Sequence, residues 1–346
     1  MVLPLDVEAV SSSRSYTVAN RLLSIHASDA RTAQLAESFF GAFYLTPYAA
    51  RVPDRVDCHI NLWTDMPPSV PPHLQLFEMP RGVCYTDGET YFLDVDESRF
   101  IVGPPAARQI DVWFGETAHA RHPVALINVM SYVMHMALRR CALYDLHAAG
   151  VVEPSTGAGV LFVGESNSGK SSLTVRLTRS GWSYLSDDML LLFERQGSVE
   201  ARALRRLFAV SAATLDGCQL PRLDEALGTP VNSDPSKRRL EPSIVFPESF
   251  AEQCTPRVIC FPVVTGERES RLEPLRQADV LTQLIRLCVW TSFDATARDY
   301  LRFLGRLVRQ TKAYRLLAGL DLLEDPARAS ALLTPHVAAA AAAVAA

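Results

Sequence analysis

The stretch VLFVGESNSGKSSLTVRLTRSGWSYLSDDMLLL, running from Val160 to Leu192, decides the reading of this chain. Within it, Gly164-Glu165-Ser166-Asn167-Ser168-Gly169-Lys170-Ser171 fits the phosphate-binding pattern G-x-x-x-x-G-K-[ST], and Ser172 extends the same turn. The apolar run Val160-Leu161-Phe162-Val163 predicts a buried strand leading into the glycines. Beyond Lys170, Leu173 and Leu177 share one helical face, and Gly181 follows as a helix-closing C′ residue. Glycines let the backbone wrap an anion with its N–H groups turned inward, and the helix N-terminus adds partial positive charge. Lys170 then serves β- and γ-phosphates and the Ser171 hydroxyl serves Mg²⁺, which implies a nucleoside triphosphate such as ATP.

Working outward, Asp187-Asp188 follows the strand-like Trp182-Ser183-Tyr184-Leu185. Two carboxylates beside a triphosphate repel each other, and a divalent cation makes the pair tolerable. One can hold Mg²⁺ while the other accepts a proton from an attacking hydroxyl. A solvated turn or a helix cap is the plainer use of such a pair. Upstream, Leu146-His147-Ala148-Ala149-Gly150-Val151-Val152 sets a lone His ahead of a predicted hairpin, Val151 to Val163, with Ser155-Thr156-Gly157 as its turn. A His between apolar residues is more often a core residue than a catalyst.

Taken together, L-H-A-A-G-V-V, G-V-L-F-V-G-E-S-N-S-G-K-S-S-L and R-S-G-W-S-Y-L-S-D-D resemble the catalytic domain of HPr kinase/phosphorylase and its relatives. The resemblance spans about Tyr144 to Pro335 and implies an α/β fold: a P-loop kinase domain of the HPr-kinase and phosphoenolpyruvate-carboxykinase type, here behind a smaller α+β N-terminal domain. It implies Asp187 as general base, Asp188 as a metal-side or orienting carboxylate and His147 as a further catalytic residue, with ATP and Mg²⁺ as cofactors. The E-I-R-G-L-G-I type of signature that the bifunctional enzymes carry after the Asp pair is missing between Met189 and Val231. The resemblance therefore points to HPr-kinase-related serine kinases, including those that modify precursor peptides of the lasso type. It leaves room for a homo-oligomer, a hexamer or a smaller ring.

Composition sets the outer limits. At 346 residues, two domains are expected, and 48% hydrophobic with 21% charged residues is ordinary for a folded chain. A net charge of −4 argues against a broad nucleic-acid-binding surface. Seven cysteines without C-x-x-C spacing suit reduced structural thiols. Met1 to Asp6 lacks a signal-peptide pattern, and the apolar run Pro123 to Leu138 is interrupted by Asn128, Ser131 and His135 and too short to span a bilayer. These features predict a cytoplasmic protein without membrane partners.

The predicted domains are 1–120, an α+β unit for packing, oligomer contact or substrate recognition; 121–335, the kinase domain; and 336–346, an alanine-rich tail with no assigned role. In the first, Ser15–Ser24 alternates like one strand, Arg31–Tyr44 has helical spacing, and Asp87-Gly88 marks a hairpin turn. A helix, Val124–Leu143, leads into the second. After the Asp pair, Arg205, Arg206 and the run Lys237-Arg238-Arg239 following Asn232-Ser233-Asp234-Pro235 are cations that can hold an acidic substrate or neutralise developing charge, or simply face solvent. Strand Arg257–Val264, helices Ala278–Val289 and Ala295–Thr311, strand Ala313–Gly319 and helix Pro326–Leu333 complete the chain. The expected activity is transfer of the γ-phosphate to a serine on a peptide or protein. A small-molecule hydroxyl kinase and a non-catalytic nucleotide-binding partner are the alternatives.

Overall fold

The computed structural model describes residues 12–48, 55–79, 82–115, 123–231, 234–288, 296–325 and 327–345. The readings placed on Met1–Asp6, on Asn232-Ser233, on Val289 and on Pro326 lie outside these residues. The protein is mixed α/β, and among the described residues it holds two nine-stranded sheets and one of three strands. It divides into two compact units, Met1–Tyr144 with Thr291–Arg298, and Asp145–Trp290 with Asp299–Ala346.

The first unit is a sheet of order β3-β1-β2-β4-β9-β8-β7-β6-β5. Its strands are β1 Ser12–Val18, β2 Arg21–Ala27, β3 Thr46–Pro47, β4 Cys58–Trp63, β5 Gln75–Met79, β6 Gly82–Thr86, β7 Tyr91–Val95, β8 Ser98–Val102 and β9 Gln109–Trp113. The segment expected as one strand, Ser15–Ser24, is instead a hairpin. Ala19 and Asn20 both take positive φ, 46° and 61°, so a two-residue turn folds β1 onto β2. Alternation continues on both sides of such a turn, which is why the pattern hid the break. The Asp87-Gly88 hairpin forms as expected, with Gly88 at φ 93° and Asp87 accepting from the N–H groups of Glu89 and Thr90.

The helix Ala30–Phe40 starts at Asp29, whose carboxylate accepts from Thr32 N–H. The helix Pro123–Arg140 packs on β4 and β9 through buried Val129, Met130 and Val133. It therefore belongs to the first unit, and the division falls at Tyr144 rather than near residue 120.

The second unit is built on the order β10-β14-β15-β19-β12-β11-β13. These strands are β10 Tyr144–Leu146, β11 Ala148–Val152, β12 Ala158–Val163, β13 Ser183–Ser186, β14 Leu190–Arg195, β15 Ser198–Ala203 and β19 Gln253–Val264. β19 runs parallel to β12 and to β21, Lys312–Ala318, which also pairs with β20, Arg271–Pro274. β12 is buried along its whole length, as a central strand with covered faces must be. The helix Lys170–Arg179 covers it through Leu173 and Leu177, together with Trp182 and Leu333. Gly181 closes this helix at φ 91°. The last helix runs without a break from Arg328 to Ala345 through Pro335, and Val337 and Ala340 are buried in the same core. The alanine-rich end is thus packed structure, consistent with alanine's helix preference. The three-stranded sheet joins β16 Phe208–Ser211, β18 Asp234–Leu240 and β17 Leu227–Val231, and packs Phe208 and Val210 against Val175 and Tyr184.

Strand direction positions the chemistry. β11 is antiparallel to both β12 and β13, so β12 and β13 point the same way. The loop after β12, the Asp pair after β13 and His147 just before β11 consequently gather at one end of the sheet.

Candidate active site

The loop between Val163 and Lys170 has the backbone that an anion cradle needs. Gly169 takes φ 96° and Asn167 φ 66°. A Cβ on Gly164 would stand 2.6 Å from Ser168 Oγ, so a side chain there would displace the Ser168 hydroxyl. Lys170 is buried, and its Nζ donates to the carbonyl oxygens of Gly164 (2.7 Å) and Glu165 (2.8 Å). The ammonium is therefore folded onto the loop that an incoming phosphate would occupy. Ser168 Oγ is buried with no hydrogen-bond partner among the described residues.

The two carboxylates sit in different surroundings. Asp187 is 1% exposed, and its Oδ2 accepts from Ser171 Oγ (2.9 Å) and Ala209 N–H (2.8 Å). Its Oδ1 is buried without a hydrogen-bond partner among the described residues. Burial, and then the charge of Asp188, push its carboxyl up to about 7 against the hydrogen bonds that favour ionisation. Asp188 accepts from Arg205 and lies 3.3 Å from His147 Nδ1. Burial raises its carboxyl, but His147, Arg205 and Lys170 outweigh that and hold it below the ordinary carboxylate range. The two carboxyls are thus shifted in opposite directions, Asp187 upward and Asp188 downward.

Of the cations singled out in the sequence, the structure brings two to the site. Arg205 binds Asp188, and Lys237 Nζ reaches Ser166 Oγ at 3.2 Å while staying 3.5 Å from Asp234. Arg206 is exposed, and Arg238 turns to the carbonyl of Gly228. Strand alternation along β18 separates Lys237 from Arg238. Glu165 meets Arg286 in an exposed pair at 3.3 Å. Three groups escaped the sequence reading: the Ala209 N–H, Arg286, and Thr214, whose hydroxyl shares a 2.7 Å hydrogen bond with Ser172. The one signal for Thr214 was local, since Ser211 caps the short helix Ala212–Asp216 by accepting from its N–H.

The donor set suits ATP and Mg²⁺. Among the described residues no cluster of three or more His, Cys, Asp or Glu forms a self-sufficient metal cage. Mg²⁺ seldom needs one, because it takes one or two carboxylates and draws its other ligands from water and phosphate. The orphaned Asp187 Oδ1, the Ser171 hydroxyl beside it and Asp188 are hard oxygen donors of that kind.

No family model matches the chain, and no curated protein matches it. Among solved structures it is similar to the HPr(Ser) kinase/phosphatase from Coxiella burnetii, at 14% identity and a TM-score of 0.29, over 56% of this chain and 95% of that one. No described helix is long and apolar enough to cross a membrane. What the site can do therefore rests on its own geometry: a loop of phosphate-binding sequence, the buried carboxyl of Asp187 pushed up to about 7, and Asp188 held below the ordinary carboxylate range between His147 and Arg205.

Proposed function

We propose that this protein is an ATP-dependent kinase that transfers the γ-phosphate to a serine hydroxyl of a peptide or protein. The observation that carries the reading is the unlike pair Asp187 and Asp188 held against the phosphate loop through Ser171. In this reading Lys170 leaves the Gly164 and Glu165 carbonyls for the phosphate oxygens. Asp187 removes the proton from the acceptor hydroxyl through its free Oδ1. The acceptor's hydroxyl oxygen bonds to the γ-phosphorus, the bond from that phosphorus to the β,γ-bridging oxygen breaks, and ADP leaves with its electron pair. Asp188 and Ser171 are the residues that would hold Mg²⁺, which supplies neutralisation of phosphate charge. Arg205 and His147 keep Asp188 ionised, and Lys237 stands at the loop where a phosphate or an acidic substrate residue would approach.

The choice of a serine on a flexible chain rests on the sequence resemblance and on the missing second signature between Met189 and Val231. Labelled ATP offered with HPr, with short serine-containing peptides, and with free sugars or amino acids tests it. Labelling of the peptides supports the reading. Efficient labelling of HPr, or of small molecules alone, overturns the acceptor, and no labelling of anything overturns the kinase.

A second division of labour has one observation in its favour. The Ser171–Asp187 hydrogen bond would place Asp187 on the cation, leaving Asp188 beside His147 as the base. Replacing each Asp by Asn separates the two assignments.

A further inference from the structure

The parallel strands β12, β19 and β21 have two ends, and the phosphate loop occupies only one. At the other, the beginnings of β19 and β21 border a cavity of about 490 Å³. The start of helix Gln277–Cys288, the end of helix Ala297–Gln310, and Ala340 and Ala343 of the last helix complete its rim. Six or so strand residues separate it from the loop, about 20 Å at the rise of a β-strand.

Its lining is one-signed. Arg257, Arg276, Arg309 and Lys312 line it, and no carboxylate does. Arg276 is committed to Asp279, at 2.8 and 3.1 Å. Arg257, Arg309 and Lys312 make no side-chain hydrogen bond or ion pair among the described residues. A cation in the last turn of a helix offsets the helix dipole, which accounts for Arg309. It does not account for Arg257, which lies on a strand, or for Lys312, which stands next to it in the ladder where Val258 pairs with Lys312. Like charges gathered without counter-charges repel, and an anion between them removes that repulsion. The remaining lining mixes apolar Val280, Val308 and Tyr314 with polar Gln277, Gln310 and Thr311.

The geometry points to a binding site for a small phosphorylated organic molecule, distinct from the phosphate loop and independent of the kinase reading. Cations take the phosphate, the half-buried Tyr314 ring and the apolar part of the lining take the organic part, and the volume lies within the range of small-molecule pockets.

Titration calorimetry with phenyl phosphate and with inorganic phosphate, at low ionic strength, tests this. Lys170→Met is the background, so that the loop does not contribute. Phenyl phosphate should bind that variant at one site, at least about threefold more tightly than inorganic phosphate, because the ring meets the apolar wall. Adding Arg257→Gln and Lys312→Gln should weaken it at least about tenfold, from the loss of two charged hydrogen bonds. If these substitutions lower the melting temperature, the exposed single change Arg309→Gln serves instead, with a loss of about threefold. Equal affinity with and without the substitutions, or no binding to Lys170→Met at all, overturns the site. Equal affinity for both phosphates overturns the organic part of the assignment.

Discussion

Each unit of this protein buries a carboxylate on or beside a sheet, and the two are treated oppositely. In the first, Asp111 lies in mid-strand on β9, 6% exposed, and accepts from Asn61 (2.8 Å), Trp63 (3.3 Å) and Gln109 (2.8 Å). All its partners come from the same strand or the neighbouring β4, and both carboxylate oxygens are used. In the second, Asp187 lies beyond the end of β13, and one of its oxygens has no donor among the described residues. A saturated buried carboxylate holds structure together, whereas a half-saturated one is costly and persists where a ligand or substrate completes it. Position follows the same logic, because strand ends open onto loops and mid-strand positions do not.

The comparison breaks first if the phosphate loop is idle. Lys170→Met keeps the buried stem of the lysine and removes its charge, so the fold should survive while kcat/KM for phosphoryl transfer falls on the order of 10⁴-fold, from lost phosphate binding and lost transition-state stabilisation together. Calorimetry with a non-hydrolysable ATP analogue reads the binding part. Unchanged affinity would remove the loop from the site.

Next in size, Asp187→Asn should keep nucleotide binding and lower kcat by about 10²–10⁴, the usual cost of a missing general base. Asp188→Asn should instead raise the Mg²⁺ concentration needed for half-maximal rate. The reverse pattern would exchange their roles. The pH dependence carries a sign of its own. Asp187 must be ionised to act, so the wild-type rate should rise with pH through about 7. Stability should move the other way. A carboxyl raised on folding contributes stability in full below its unfolded value, and that contribution is lost as pH rises through about 7. Asp187→Asn should flatten both profiles, read by initial rates and by melting temperature across pH 5 to about 8.5.

How much of this was legible depended on how local the signal was. Strand, loop and helix around Lys170 follow from consecutive residues, and the structure matches them down to Gly181 at φ 91°. The Asp87-Gly88 turn is equally local. The Ala19-Asn20 turn was hidden because a two-residue hairpin preserves alternation, and Asn20 was its only marker. Lys237 could not be distinguished from Arg238 and Arg239 by charge alone. Only the pairing of β18 with β16 shows which cation faces Ser166. The Ala209 N–H and Thr214 come from that same small sheet and its capped helix, so their approach to Asp187 and Ser172 is a property of tertiary packing. The last helix was obscured by composition: a run of alanines reads as low complexity, yet Val337 and Ala340 fill the core.

The smallest expected effect on activity tests the other side of the comparison. Asp111→Ala leaves three donors, those of Asn61, Trp63 and Gln109, facing a gap in a mostly buried part of the sheet. Each buried donor stripped of its partner costs roughly 1–3 kcal/mol, and partial access to water lowers the total, so about 3 kcal/mol is expected for the site. Denaturant unfolding followed by tryptophan fluorescence is the direct measurement, since Trp63 is one of the donors and stacks on Trp113 at 6.3 Å. The asymmetry with Asp187 is what gives the experiment its force. Removing Asp111 should lower stability and leave kcat and KM within about twofold of the wild type below the unfolding transition, whereas removing the charge of Asp187 should do the converse. Asp111→Asn refines this further: it keeps one acceptor oxygen and places an NH₂ against donors, so its cost should fall between those of the wild type and Asp111→Ala. If Asp111→Ala unfolds normally and loses turnover instead, then Asp111 is a functional residue, and a saturated carboxylate in mid-strand is no guide to a structural role in this protein.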